Sequence, residues 1–142
     1  MTDTNTLNAI LTVIHACDNV QLATVRPDGY PETRHLANMM NRDTQNTVLY
    51  FMTGRHTPKA EQLAKNSKCA LYYYDDKTHY ALRLFGTTQL VDDVTARHAH
   101  WNDDFRKFGY SGPDDPEFIL LRFTANEYKY YDASGMQSGK IK

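Results

Sequence analysis

From Phe51 to Lys59 the chain reads Phe-Met-Thr-Gly-Arg-His-Thr-Pro-Lys, a strand end, a glycine-containing loop and the start of a helix. Such a junction turns unpaired backbone N–H groups and the positive end of a helix dipole toward an anion. Thr53 and Thr57 add hydroxyls, and Lys59 adds a charge within the first turn, so the chemistry on offer is the holding of a phosphate. Taken alone, the same residues read first as an ordinary helix capped by Thr57, with an exposed lysine. Arg34 is the second candidate. It falls in mid-strand, where an arginine needs water or an anionic partner, and alone it reads first as a solvent-facing strand residue.

Other chemistry is missing. No GxGxxG or GxxxxGK[ST] pattern occurs, so dinucleotide-fold and P-loop readings fall away. The histidines are His15, His35, His56, His79, His98 and His100; the last two are two apart, which on a helix turns them to different faces. No His/Cys/Asp grouping has metal-ligand spacing, and no metal site is expected. There is no GxSxG elbow, and no residue is marked as general acid or base, so catalytic residues stay unassigned. Cys17 and Cys69 lack CxxC spacing and read as free thiols of a reducing compartment.

Short elements position the candidates. Leu7, Ile10, Leu11 and Ile14 have helical spacing, with Thr4 or Asn5 as the cap. Strands are predicted over Val20–Val25 and Pro31–Met39, joined by the turn Arg26-Pro27-Asp28-Gly29, then over Thr47–Thr53. Thr57 caps a helix running to Lys65, with Pro58 at its first position. Strands follow over Lys68–Tyr74 and Tyr80–Val91, the latter with Gly86 marking a bulge or bend. A helix from Asp92 is expected to place Val94, Trp101, Phe105 and Phe108 on one face. Glu117–Thr124 and Glu127–Tyr131 read as two more strands, and the small, polar stretch from Ser134, 136–142 above all, as a flexible tail. Six or seven strands with hairpin turns and peripheral helices predict a mainly β, antiparallel barrel or sandwich in a single domain over 1–142.

Bulk properties bound the partners. The 142 residues carry a net charge of −1 with the basic residues dispersed, which argues against nucleic acid. No apolar run reaches the ~20 residues of a membrane span, and the Met1-Thr2-Asp3-Thr4 start lacks signal-peptide character. The expected location is the cytoplasm. The ten tyrosines suit strands and half-wet surfaces.

Four segments in order carry a resemblance: LATVRPDGYPETR, YFMTGRHTPKAEQL, GTTQLVDD and SGPDDPEFILLRF. They are similar to motifs of the pyridoxamine 5′-phosphate oxidase superfamily, and more sharply to its general stress protein 26-like branch. The likeness runs from residue 10 to 132. It implies an FMN-binding split β-barrel that dimerises with FMN at the subunit interface. By position, Arg34 and Lys59 would pair with the FMN phosphate, helped by Thr57. The backbone of Arg34, His35, Leu36, Ala37 and Asn38 would run along the isoalloxazine edge. Met52 and Thr53 would touch the flavin. Trp101 and Tyr131 stand where the family supplies aromatics near the ring, partly across the dimer, although plain helix packing accounts equally well for Trp101. Trp101, Tyr110 and Tyr131 together would suit the mouth of a pocket for a flat substrate.

Some positions depart from the true oxidases. Pro58 stands where they carry an arginine, Met39 where they carry a lysine, and Ser134–Lys142 has no counterpart of their substrate segment. Oxidation of pyridoxamine phosphate is therefore not expected. Two readings follow: a flavin-dependent oxidoreductase of unidentified substrate, and a non-catalytic flavin store, carrier or sensor of stress responses. The phosphate-binding residues disfavour haem on the same barrel, but do not separate FMN from FAD or deazaflavin.

Overall fold

The structure is a computed structural model that describes residues 3–141; Met1, Thr2 and the final tail residue Lys142 lie outside the described residues. Its first helix, α1 (Thr4–Ala16), is capped by Asp3, whose carboxylate accepts from Asn5 N, one position before the expected cap. The helix buries Ile10, Leu11, Val13 and Ile14 on one stripe, each burial stabilising by about 2 kcal/mol. There follow β1 (Asn19–Val25), β2 (Pro31–Ala37), β3 (Val48–Gly54), α2 (Pro58–Lys65), β4 (Lys68–Asp75), β5 (Tyr80–Val91), α3 (Val94–His100), β6 (Phe118–Asp132) and β7 (Gly135–Lys140). All pairings are antiparallel, in the order β2-β1-β4-β5-β6-β3, with β7 also on β6. No ladder joins β2 to β3 among the described residues, so this mainly β sheet is not closed.

Alternation decides which way each strand faces. Val20 and Leu22 of β1 and Leu82 and Leu84 of β5 point inward, into one core with α1, Leu71, Tyr73 and Phe123; Thr24 and Thr88, also buried, meet Gln62 of α2 and Cys69 of β4. Gly86 marks a register shift between β5 and β6, as its mid-strand position predicts. A Cβ there would come within 2.0 Å of Thr124 O, so only glycine fits.

Three expectations need correction. The two strands expected over 117–131 are one, β6. Its first half pairs with β3 and its second with β7, while β5 runs along the other edge. The supposed flexible tail is β7: Gly135, at φ +110, turns the chain back onto Tyr128–Asp132. The helix from Asp92 breaks at Trp101, because Asn102 caps a separate 3₁₀ turn over Asp103–Phe108. Its four apolar residues therefore diverge. Trp101 packs edge to face on both Phe105 and Phe118, and Phe105 lies tilted against Phe118, while Val94 and Phe108 are exposed.

Candidate functional site

A cleft of about 490 Å³ lies where the sheet is open, within the usual range for ligand sites. Asn19 of β1 and His35, Leu36 and Ala37 of β2 line one side; Met52, Thr53 and Gly54 come from the end of β3. Thr57 and Lys59 enter from the cap and first turn of α2. Phe108, Gly109, Tyr110 and Glu117 complete the lining from the chain between the 3₁₀ turn and β6.

The β2 edge is selective about what it offers. Asn38 N donates to Asp18 O, and Arg26 N to Tyr30 O. Both bonds obey the register that pairs Val20 with Leu36 and Leu22 with Arg34. In an antiparallel ladder, residues alternate between bonding the neighbouring strand and facing away from it. Arg34, Leu36 and Asn38 therefore face β1, and His35 and Ala37 present their N–H and C=O groups to the free edge. Of the five residues expected to run along a cofactor, only these two have backbone groups to give. The Asn38 side chain is also committed: its amide donates to Ile14 O and Cys17 O at 2.8 and 2.7 Å, and its carbonyl accepts from Tyr73 OH.

At the α2 end the positive groups converge. Lys59 is half-buried, and burial followed by the charge of Arg34 holds its ammonium below the usual lysine pKa. The ion pairs among the described residues do not include Lys59. Arg34 is itself part-buried. Burial lowers its pKa, partly offset by Glu32, and Nη1 donates to Thr24 Oγ1 at 2.7 Å. Pro58 has no N–H, so the Lys59 amide is an orphan donor of the first turn. The Thr57 hydroxyl donates to Gly54 O (2.9 Å) and accepts from Ala60 N, so it serves the helix cap before any ligand. Two cations and a helix N-terminus without a carboxylate on Lys59 form a donor set suited to a phosphate.

The opposite side carries negative and aromatic groups. The Glu117 carboxylate accepts from His56 N and pairs with His56 Nδ1 (2.7 and 2.8 Å), which holds its pKa down. Burial pushes the Tyr110 hydroxyl pKa up, reinforced by Glu117 and Asp115. Gly109, at φ +100, turns the chain between Phe108 and Tyr110. Sequence reasoning missed Asn19, Gly54, Phe108, Gly109 and Glu117 as lining residues. Glu117 follows the SGPDDP stretch directly, the one signal that pointed there.

Four expected site residues do not line this cleft in the single chain: Arg34, Asn38, Trp101 and Tyr131. Trp101 donates its indole N–H to Asp103 and packs on Phe118. Tyr131 sits half-exposed near the end of β6, between Ala81 and Met136. Of the three residues expected at a pocket mouth, only Tyr110 lines it.

Comparison with known proteins places this geometry. The sequence model described as pyridoxamine 5′-phosphate oxidase like matches residues 5–141. A protein of Clostridium acetobutylicum related to general stress protein 26 of B. subtilis superposes with TM-score 0.85 at 26% identity, over 99% of this chain and 97% of that one. A pyridoxamine 5′-phosphate oxidase-related, FMN binding protein of Nostoc punctiforme gives 0.72 at 23%, over 95% of each chain. A heme binding protein of Mycobacterium smegmatis gives 0.71 at 13%, over 99% of this chain and 60% of that one. Among curated proteins none matches. With the family's pattern running through all seven strands, the chain belongs to the pyridoxamine 5′-phosphate oxidase-like family.

Proposed function

We propose that the chain binds FMN in this cleft, with the phosphate between Arg34 and Lys59, and acts as a flavin-dependent oxidoreductase on an unidentified substrate. The observation that carries the reading is the half-buried Lys59 ammonium, set beside Arg34 with no carboxylate of its own. When bound, FMN supplies hydride or electron transfer, and the protein supplies orientation and charge. Lys59 and Arg34 hold the phosphate, with the orphan Lys59 amide beside them. His35 and Ala37 offer their free backbone groups along the β2 edge, and Met52 and Thr53 contact the ring system. Phe108 and Tyr110 exclude water from the far side.

A second copy of the chain would complete the site. The outer face of β1, β4 and β5 presents Gln21, Ala23, Tyr72, Arg83 and Phe85 around a shallow cavity of about 200 Å³, with the Arg83 guanidinium over the Tyr72 ring. Asn19 and His35 border both the main cleft and the neighbouring hollow on this face, so a partner seated here would reach the cofactor. No helix is long and apolar enough to cross a membrane among the described residues. The buried, unpaired Cys17 and Cys69 suit a cytoplasmic setting.

One observation favours the non-catalytic reading. Glu117, the carboxylate that lines the cleft, is held by His56 through both oxygens, so it is not free to act as an acid or base on a substrate. Turnover above the free-FMN background separates the two readings.

The first experiment is the visible spectrum of the purified protein before and after incubation with FMN and desalting. Retained bands near ~370 and ~450 nm, lost in Arg34→Ala/Lys59→Ala, support the site. A colourless protein overturns it, and a single intense band near ~400 nm indicates haem bound instead.

A further inference from the structure

Behind the phosphate end lies a closed ring of polar side chains that the cofactor contacts do not explain. Thr24 and Gln62 are buried, at 1% and 9% exposure. An arginine can only donate, so the 2.7 Å contact between Arg34 Nη1 and Thr24 Oγ1 makes the threonine oxygen an acceptor. The single Thr24 hydroxyl proton then goes to Gln62 Oε1 at 2.6 Å. That assignment turns the Gln62 amide nitrogen to Glu32 Oε1, to which it donates at 2.8 Å. Glu32 Oε1 lies 3.8 Å from Arg34 Nη2 and closes the ring. Arg34 makes Thr24 Oγ1 an acceptor at one end, and the Glu32 carboxylate, which can only accept, fixes the Gln62 amide nitrogen at the other; Arg34 Nη1 also donates to Glu32 O at 3.1 Å and Leu22 O at 3.4 Å.

Gln62 stands on α2, three residues after Lys59 and so on a neighbouring position of the same helix surface. Thr24 belongs to β1, and Glu32 and Arg34 to β2. The ring therefore joins the helix that carries one phosphate cation to the strand that carries the other. We propose that Gln62 is a positioning residue of the phosphate site: acting through Thr24 and Glu32, it fixes the Arg34 guanidinium and sets its separation from Lys59. The inference rests on the FMN reading for its ligand, but not for the ordering of Arg34. Neither Gln62 nor Arg34 lines the cleft itself; of the two cations, Lys59 does.

The test compares FMN with riboflavin, which lacks the phosphate, in the wild type, Gln62→Leu, Thr24→Val, Thr24→Ser, Arg34→Ala and the double variant Gln62→Leu/Arg34→Ala. Leucine fills a similar volume, and circular dichroism checks that each variant is folded. Gln62→Leu and Thr24→Val should lower FMN affinity about tenfold, the scale of one misplaced charged hydrogen bond, and leave riboflavin affinity unchanged. Thr24→Ser, which keeps the hydroxyl, should retain wild-type preference. The double variant should bind FMN no more weakly than Arg34→Ala, because Gln62 acts through Arg34. Equal losses for FMN and riboflavin, or additive losses in the double variant, would overturn the proposal in favour of a general packing role. A ligand-free arm separates this from failure of the cofactor reading. In ¹⁵N guanidinium spectra, side-chain proton exchange of Arg34 should speed up about tenfold in Gln62→Leu, as expected when a buried hydrogen bond is lost. Unchanged exchange sinks the proposal even if FMN binds.

Discussion

Arg34 and Lys59 come from different elements, β2 and α2, yet the Arg34 guanidinium adds to burial, the larger cause, in keeping the Lys59 ammonium below its usual pKa. Two like charges brought together in a part-buried place are unfavourable without an anion, and a phosphate between them turns that cost into affinity. Each of Arg34→Ala and Lys59→Ala should weaken FMN binding by about 10- to 100-fold, the range of a charge-assisted hydrogen bond. Riboflavin binding should barely change. Titration by flavin fluorescence checks both, and raised salt should reduce the preference of the wild type for FMN.

The same pair has a signature in ligand-free stability. The folded-state pKa of Lys59 is depressed, so between that value and the ordinary lysine pKa the unfolded chain binds more protons than the native one. Stability therefore rises with pH through this window, and the penalty is present in full below it. Thermal unfolding of the wild type and Lys59→Met from about pH 8 to about pH 11 isolates the effect. Lys59→Met should be the more stable at the lower end, and the difference should shrink as pH climbs. A difference that stays constant across the range would mean that Lys59 sits unperturbed.

Gly86→Ala tests the bulge. Its Cβ would meet Thr124 O at 2.0 Å, which is backbone and cannot swing aside. The ladder between β5 and β6, which joins the two halves of the sheet, must shift to admit it. A loss of about 3 kcal/mol is expected, seen by calorimetry as a fall in Tm of roughly 10 °C. Unchanged melting would show that the strands separate there at little cost.

These cases show which features a sequence exposes. Gly86 and the Thr57-Pro58 cap are local signals, and both stand in the fold as read. β7 gave no such signal, since Ser138 and Gly139 carry neither alternation nor apolar character. It forms because β6 outruns β3 and leaves Glu127–Asp132 with an open edge. The site divides the same way. Thr53, Thr57 and Lys59 are close in sequence and were legible together, whereas Asn19, Phe108 and Glu117 reach the cleft only by tertiary folding. That His35 and Ala37, not Leu36 and Asn38, offer free N–H groups depends on a register set at the Arg26–Tyr30 turn. No residue type announces it.

Deleting residues 135–142 should therefore be damaging, as removal of a disordered tail would not be. It strips β7 from β6 and bares the backbone groups of Glu127–Asp132, including the strand bearing Tyr128 and Tyr130. An unpaired edge of that kind invites pairing between molecules. The truncated chain should aggregate at concentrations where the full chain does not, by light scattering. Amide hydrogen exchange of the full chain should show protection within 136–140; free exchange there would contradict the strand.

Asn38→Asp distinguishes the structural role of Asn38 from a cofactor role. The native amide gives its two protons to Ile14 O and Cys17 O at the end of α1, and its oxygen takes the Tyr73 proton. An aspartate has no proton for either carbonyl once ionised, and its charge would sit in a fully buried place beside two carbonyl oxygens. The folded-state pKa of the new carboxyl is thus raised. Below the unfolded value, near pH 4, both states are protonated and the penalty is smallest; it grows as pH rises toward the folded-state value. Near neutral pH the variant should lose about 3 kcal/mol or more against the wild type, measured by urea unfolding. The gap should narrow on acidification. A variant of wild-type stability that has lost only flavin affinity would instead place Asn38 in contact with the cofactor.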